Sequence, residues 1–173
     1  MIDTIASKLA TSLKNANKNE TPSVAVMKFA LIITLNSSIT IILSLSIGAL
    51  FGKFTETAIV LCCFALLHFF SGGYHFKSAM ACTFASIFTI VLIPLIPITK
   101  DVAYILMLCS LILILIYAPS NISNAARLPE KYFPFLKLIS IVIVLGTVFL
   151  SLELLALTYF IQSLTLITLK KRR

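Results

Sequence analysis

A chain of 173 residues that is 60% hydrophobic and 12% charged, with a mean hydropathy of +1.07 and no tryptophan, falls outside the range of a soluble globular domain and reads as an integral membrane protein. Its net charge of +8 does not point to nucleic acid, because the lysines and arginines form short clusters between apolar runs, where they orient the chain and meet anionic lipid. The four cysteines, Cys62, Cys63, Cys82 and Cys109, lie in or at the ends of apolar segments without the spacing of a disulfide framework, so reduced thiols are expected.

In chain order, Ile2, Ile5, Ala6, Leu9 and Leu13 recur at helical spacing, with Lys8, Lys14 and Lys18 towards the other side. This predicts an amphipathic helix over residues 2–16 lying on the membrane surface, broken by the polar segment 15–22. The pattern of a removable signal peptide is missing ahead of the first long apolar run, so that run is expected to direct insertion. Residues 29–51 are long enough to cross a hydrocarbon layer of roughly 30 Å, and Asn36, Ser37, Ser38 and Thr40 give the run a polar stripe expected to face other helices. Further apolar runs cover 55–70, 79–98 and 102–118, the second of them ending in Pro94 and Pro97, and a polar stretch fills 119–134. The last apolar stretch, 135–169, would measure roughly 50 Å as one straight helix, too long for a bilayer at ordinary tilt. It divides near Ser151-Leu152-Glu153 into spans over 135–151 and 153–169.

The expected architecture is therefore all-α: one polytopic membrane domain over residues 1–173, with six transmembrane helices preceded by an amphipathic interfacial helix. With the N-terminus inside, six spans leave only Lys53 and Lys100 outside and put every other lysine and arginine on the cytoplasmic side, as the positive-inside rule requires. A five-span arrangement would expose Lys170, Lys171, Arg172 and Arg173 outside. The same count puts both termini and the segment 71–82 in or against the cytoplasm.

That segment holds the chemistry. Gly72-Gly73-Tyr74-His75-Phe76-Lys77-Ser78-Ala79-Met80-Ala81-Cys82 is a glycine-broken polar island carrying a histidine and a cysteine between two membrane-grade runs. A histidine can deprotonate a thiol to make a nucleophile. Seven residues of continuous helix would separate His75 and Cys82 by roughly 10 Å along the axis, so the backbone has to bend between them. Gly72 and Gly73 allow the positive φ a reversal needs, and Ser78 is placed to cap a helix starting at Ala79. Cys82 then falls in the first turns, where backbone donors and the positive helix end favour a thiolate. The plainer readings are that Cys62, Cys63 and Cys109 are packing residues, that His68 is a polar group satisfied at headgroup level, and that Glu153 sits in an exposed turn. No CxxC or HExxH spacing argues for a metal, and no cofactor is expected.

These residues resemble the accessory gene regulator B (AgrB) family, membrane peptidases that process quorum-sensing propeptides in Gram-positive bacteria. The match rests on Gly72-Gly73-Tyr74-His75 with Lys77-Ser78 and then Cys82, similar to that family's G-G-x-H-x-K-S signature with its cysteine seven residues after the histidine. The basic amphipathic N-terminus, Tyr117-Ala118-Pro119, the basic loop after it and the C-terminal run with Gln162-Ser163 look similar too. The resemblance implies that His75 is the general base, Cys82 the nucleophile and Gly73 the motif glycine of the turn. It implies further that an acyl-enzyme forms on Cys82 and that an internal cysteine or serine of the peptide closes a thiolactone or lactone ring. Family members commonly carry an arginine where this chain has His68.

An amphipathic propeptide with an acidic tail would meet Lys77, Arg127 and Lys131, with Lys137 nearby, at the surface of the lipid bilayer. The family resemblance also implies a homodimer and a place in the bacterial cell membrane. Rival readings are a small transporter or channel lined by the stripe from Asn36 to Thr40 and Glu153, and an adaptor that binds a partner through its basic loops.

Overall fold

The computed structural model describes residues 2–17, 20–74, 78–120, 129–149 and 152–167. The first helix, α1 (Ile2–Ala16), follows the predicted amphipathic segment. It packs on the next helix with Ala6 and Ala10 fully buried, while Ile5, Leu9 and Leu13 stay exposed. Helix α2 (Val24–Leu50) starts ahead of the apolar run read from sequence because Ser23 caps it, its hydroxyl oxygen accepting from the Val26 N–H at 3.4 Å. Lys28 in that first stretch lies 3.8 Å from Asp3 on α1.

Helix α3 (Phe54–Ser71) returns after a turn in which Gly52 has φ of 67°. Helix α4 (Ala79–Leu92) tightens into a 3-10 turn over Ile93–Leu95, where Pro94 lacks an N–H to continue the α pattern. Helix α5 spans Lys100–Tyr117. The long C-terminal run divides: α6 (Phe133–Leu145) gives way to a 3-10 turn over Gly146–Phe149 and α7 covers Leu152–Leu164, while Ser151, where the sequence puts the expected break, lies outside the described residues. The turn begins at Gly146, and the Thr147 hydroxyl donates to the Val144 carbonyl at 2.6 Å, a side-chain bond that competes with continued helix.

Three of these helices, Val24–Leu50, Phe54–Ser71 and Lys100–Tyr117, are long and apolar enough to cross a membrane, and Met80–Leu95, Phe133–Leu145 and Glu153–Leu164 are shorter apolar helices. Among the described residues there is no strand, only an isolated bridge between Gly72 and Ser120. The main core lies among α3, α5, α6 and α7, where Leu67, Ile114, Val144, Leu155 and Tyr159 are buried together. Elsewhere the large side chains point outwards: Leu50 is 86% exposed, Phe69 75% and Phe88 68%, a surface that water would not tolerate and lipid does. The chain is a membrane protein.

One end of the bundle gathers three helix termini. The Gly73 N–H donates to the Ser120 carbonyl just beyond α5, the Ser120 N–H to the Ser71 carbonyl at the end of α3, and the Tyr74 N–H to the Thr165 carbonyl just beyond α7. Helix α6 starts near the same end, since Lys137 Nζ donates to the Leu115 carbonyl at 2.7 Å. The stretch from Phe133 to Ile167 is thus a helical hairpin that leaves this end and comes back to it.

Candidate active site

Helix α3 stops at Gly72, whose N–H still donates to the His68 carbonyl at 2.9 Å while its φ of 73° and ψ of −158° turn the chain out of the helix. Only glycine takes that backbone without strain. Gly73 is held to glycine for a different reason, which is space. A Cβ there would stand 2.6 Å from Thr165 Oγ1 and 2.9 Å from His68 Cε1. The adjoining glycines therefore do separate work, one reversing the backbone and the other letting the end of α7 approach it.

Gln162, near the end of α7, closes this corner. Its Nε2 donates to the Gly72 carbonyl at 2.9 Å and lies 2.9 Å from His68 Nδ1. A carbonyl only accepts, so the amide nitrogen is the atom that faces Gly72, and its second hydrogen is available to His68 Nδ1. His68 stacks on Phe64, with ring centroids 6.2 Å apart. Ser71, fully buried, spends its hydroxyl on the Leu67 carbonyl at 2.7 Å.

On the other side of the island Ser78 occupies the N-cap position of α4 with extended backbone, but its hydroxyl makes no capping bond. The first backbone bond of the helix runs from the Cys82 N–H to the Ser78 carbonyl at 3.1 Å, so the donors of the opening turn precede Cys82. Cys82 is half-buried and lines a cavity of about 420 Å³ between α2, α3, α4 and α7. Asn36, Ser37 and Thr40 line this cavity from α2, so most of the polar stripe of that helix shares a cavity with the cysteine. His68, Tyr74, Gln162 and Thr165 complete the polar side, and isoleucines and Phe64 supply most of the apolar side.

His75, Lys77 and Arg127 lie outside the described residues, as do the basic C-terminal residues 170–173. Tyr74, the residue before His75, lines the same cavity as Cys82. Lys131 is exposed in a short 3-10 turn, its ammonium 5.0 Å from the centre of the Tyr132 ring. Glu153 stands in the first turn of α7, at the opposite end of that helix from Gln162, and does not line the cavity, so it and the Asn36 stripe are not brought together. Among the described residues no three His, Cys, Asp or Glu side chains converge as metal ligands would. Cys63 packs against the main core, which includes Tyr159, and Cys62 is exposed.

Sequence reasoning placed His68 at headgroup level and used Gln162 only as part of a resemblance; the structure joins them across the cavity wall. The signal was present, since a glutamine inside an apolar membrane helix needs a partner. Its partner lies 94 residues away in sequence, which no local pattern reveals.

No solved structure matches this chain. An AgrB-like protein of Halalkalibacterium halodurans is 31% identical over 106 residues, 61% of this chain and 54% of its own length, so the chain spans about half the length of that curated relative. The family model described as accessory gene regulator B matches residues 2–170, which takes in both arms of the island, the cavity and the hairpin of α6 and α7, and the chain therefore belongs to the accessory gene regulator B family.

Proposed function

We propose that this protein is a membrane-embedded cysteine endopeptidase that cleaves a quorum-sensing propeptide on the C-terminal side of the future signal and promotes its cyclisation. The observation that carries the reading is that Tyr74 and Cys82, on the two arms of the island, line one cavity. His75 follows Tyr74 by a single peptide unit, about 3.8 Å between alpha carbons, which supports an imidazole within reach of the Cys82 sulfur.

In the proposed reaction His75 takes the Cys82 proton and the thiolate attacks the scissile carbonyl carbon, whose π electrons move to oxygen. Backbone donors in the opening turn of α4 stabilise that oxyanion. The tetrahedral intermediate collapses, the C–N bond breaks, and the leaving nitrogen takes the proton from the His75 imidazolium. The N-terminal part of the peptide is left as a thioester on Cys82. An internal cysteine or serine of the same peptide, its proton taken by His75, then attacks the thioester carbonyl. The C–S bond breaks, its electron pair leaves with the Cys82 sulfur, and that thiolate takes back the proton held by His75. Tethering gives this nucleophile an effective concentration far above that of other nucleophiles, and the apolar walls limit competing water.

Lys77, Arg127 and Lys131 attract the acidic tail of the substrate. The exposed apolar side of α1 rests in the membrane interface, the six apolar helices cross the bilayer, and both termini and the island face the cytoplasm of a bacterial cell membrane. The protein works without a cofactor, and by family analogy as a homodimer.

Co-expression with the peptide encoded by the neighbouring short reading frame, followed by mass spectrometry, tests the reading. The natural protein should release a C-terminal fragment and a cyclic product, and Cys82→Ala should release neither while remaining folded in the membrane. Cleavage that persists in Cys82→Ala would reject the assignment.

A further inference from the structure

Two residues that line the cavity beside Cys82, Gln162 and Asn36, carry buried oxygens that the fold leaves without donors. Gln162 is fully buried, and with Nε2 committed to the Gly72 carbonyl and facing His68 Nδ1, its Oε1 has no partner. Asn36 Oδ1, from the α2 wall of the same cavity, is also buried and unpartnered. Buried polar atoms in folded proteins are nearly always satisfied, so an orphaned pair at a cavity beside a cysteine calls for a ligand that donates. Ile33, Ile41, Ile90 and Ile161 make much of the remaining wall, so that ligand must bring donors within an otherwise apolar body. The main-chain N–H of a peptide has this chemistry.

We propose that the cavity is the subsite for the acyl side of the peptide substrate, in which Gln162 Oε1 accepts the main-chain N–H of the residue whose carbonyl Cys82 attacks, and Asn36 Oδ1 accepts a second donor of the same segment. The inference rests on the peptidase reading and adds to it the means of gripping the chain. A fixed acceptor close to the nucleophile sets the scissile carbonyl against the sulfur whatever side chain precedes the bond. Gln162 thereby serves twice: its nitrogen holds the turn at Gly72, and its oxygen holds the substrate.

The test uses the full chain in lipid nanodiscs and two active-site probes. Acetyl-leucyl chloromethyl ketone offers one main-chain N–H and an electrophile at the scissile position, whereas its N-methyl-leucyl analogue lacks that N–H. Cys82 alkylation is followed by peptide mass spectrometry in the natural protein and in Gln162→Met, which preserves length and apolar bulk. N-methylation should slow alkylation about tenfold in the natural protein, the loss expected for one hydrogen bond in a buried site, and less than about threefold in Gln162→Met. An equal penalty in both proteins overturns the subsite. So does the lack of any penalty in the natural protein, a result that stands even where Gln162→Met fails to fold. Iodoacetamide separates this failure from that of the underlying reading. If Cys82 reacts with it no faster than Cys62 and Cys109, and indifferently to His75→Ala, the peptidase itself is overturned. If His75-dependent reactivity persists without N–H discrimination, the subsite alone falls.

Discussion

The Gln162 amide nitrogen donates to the Gly72 carbonyl oxygen at 2.9 Å, tying the last turn of α7 to the residue at which α3 ends, 90 residues earlier. Both groups are buried, so neither can turn to water if the other is removed. Gln162→Leu keeps most of the volume but removes the 2.9 Å donor of the Gly72 carbonyl, leaving it the longer contact from Ser71 Oγ at 3.2 Å, and removes the amide nitrogen that faces His68 Nδ1. The variant should lose about 1–3 kcal/mol of stability, read as a lower thermal midpoint in detergent. Hydrogen exchange at the Tyr74 amide, which donates to Thr165 on the same corner, should quicken by more than exchange in the middle of α5. Unchanged exchange at Tyr74 would show that the turn does not depend on this bond.

The two island glycines should fail for different reasons. Gly72→Ala meets a backbone penalty of about 1–3 kcal/mol that no neighbouring substitution relieves. Gly73→Ala meets Thr165 Oγ1 at 2.6 Å, so its penalty depends on what Thr165 is. In double-mutant cycles Thr165→Ala should recover part of the loss from Gly73→Ala and none of the loss from Gly72→Ala. His68 Cε1, 2.9 Å from the same point, keeps the recovery incomplete. Equal coupling of Thr165 to both glycines would contradict the separation of backbone from space.

How far the sequence reveals this arrangement depends on the range of the interaction. Hydrophobic run length and Ser23, Gly72 and Pro94 act locally, and the helices they delimit are legible to within a few residues, with Val24–Leu50 extended by its cap and Ala79–Leu92 cut short by its proline. The division of the last apolar stretch follows from bilayer thickness, but the 3-10 turn that ends α6 forms at Gly146 and Thr147, whose hydroxyl oxygen also lies 3.2 Å from Met107 Sδ on α5, a contact sequence does not show. For the site, the cysteine and glycines stand in one short motif and are readable as such. The cavity they border is assembled from α2, α3, α4 and α7, and the roles of Asn36, His68, Gln162 and Thr165 exist only once those helices are packed.

Lys131 is exposed, and its contact with the Tyr132 ring is a surface one. Lys131→Gln should leave the thermal midpoint nearly unchanged, within about 0.5 kcal/mol. If the basic loop draws in an acidic peptide tail, the same variant should raise the KM for propeptide processing a few-fold at low salt. That difference should disappear as added salt shortens the Debye length to about 3 Å at 1 M. A KM effect that survives high salt would assign Lys131 to a direct, desolvated contact instead.

Two further glycines separate helix packing from turn geometry, away from the end of the bundle that carries Gly72 and Cys82. Gly48 on α2 faces Thr57 on α3, and a Cβ at Gly48 would lie 2.7 Å from the Thr57 Cβ and 3.0 Å from its Cγ2. Gly52, in the turn between the same helices, has nothing within 4 Å but a φ of 67°. Gly48→Ala should therefore push α2 and α3 apart at a cost of about 1–3 kcal/mol, and shortening Thr57 to glycine should recover much of it. Gly52→Ala should cost about 1–2 kcal/mol through backbone strain alone, be indifferent to Thr57, and be eased by asparagine, which tolerates left-handed backbone. Thermal midpoints of the single and double variants read both effects. A rescue of Gly52→Ala by Thr57→Gly, or none for Gly48→Ala, would mean that the two helices are not held at the separation at which only glycine fits.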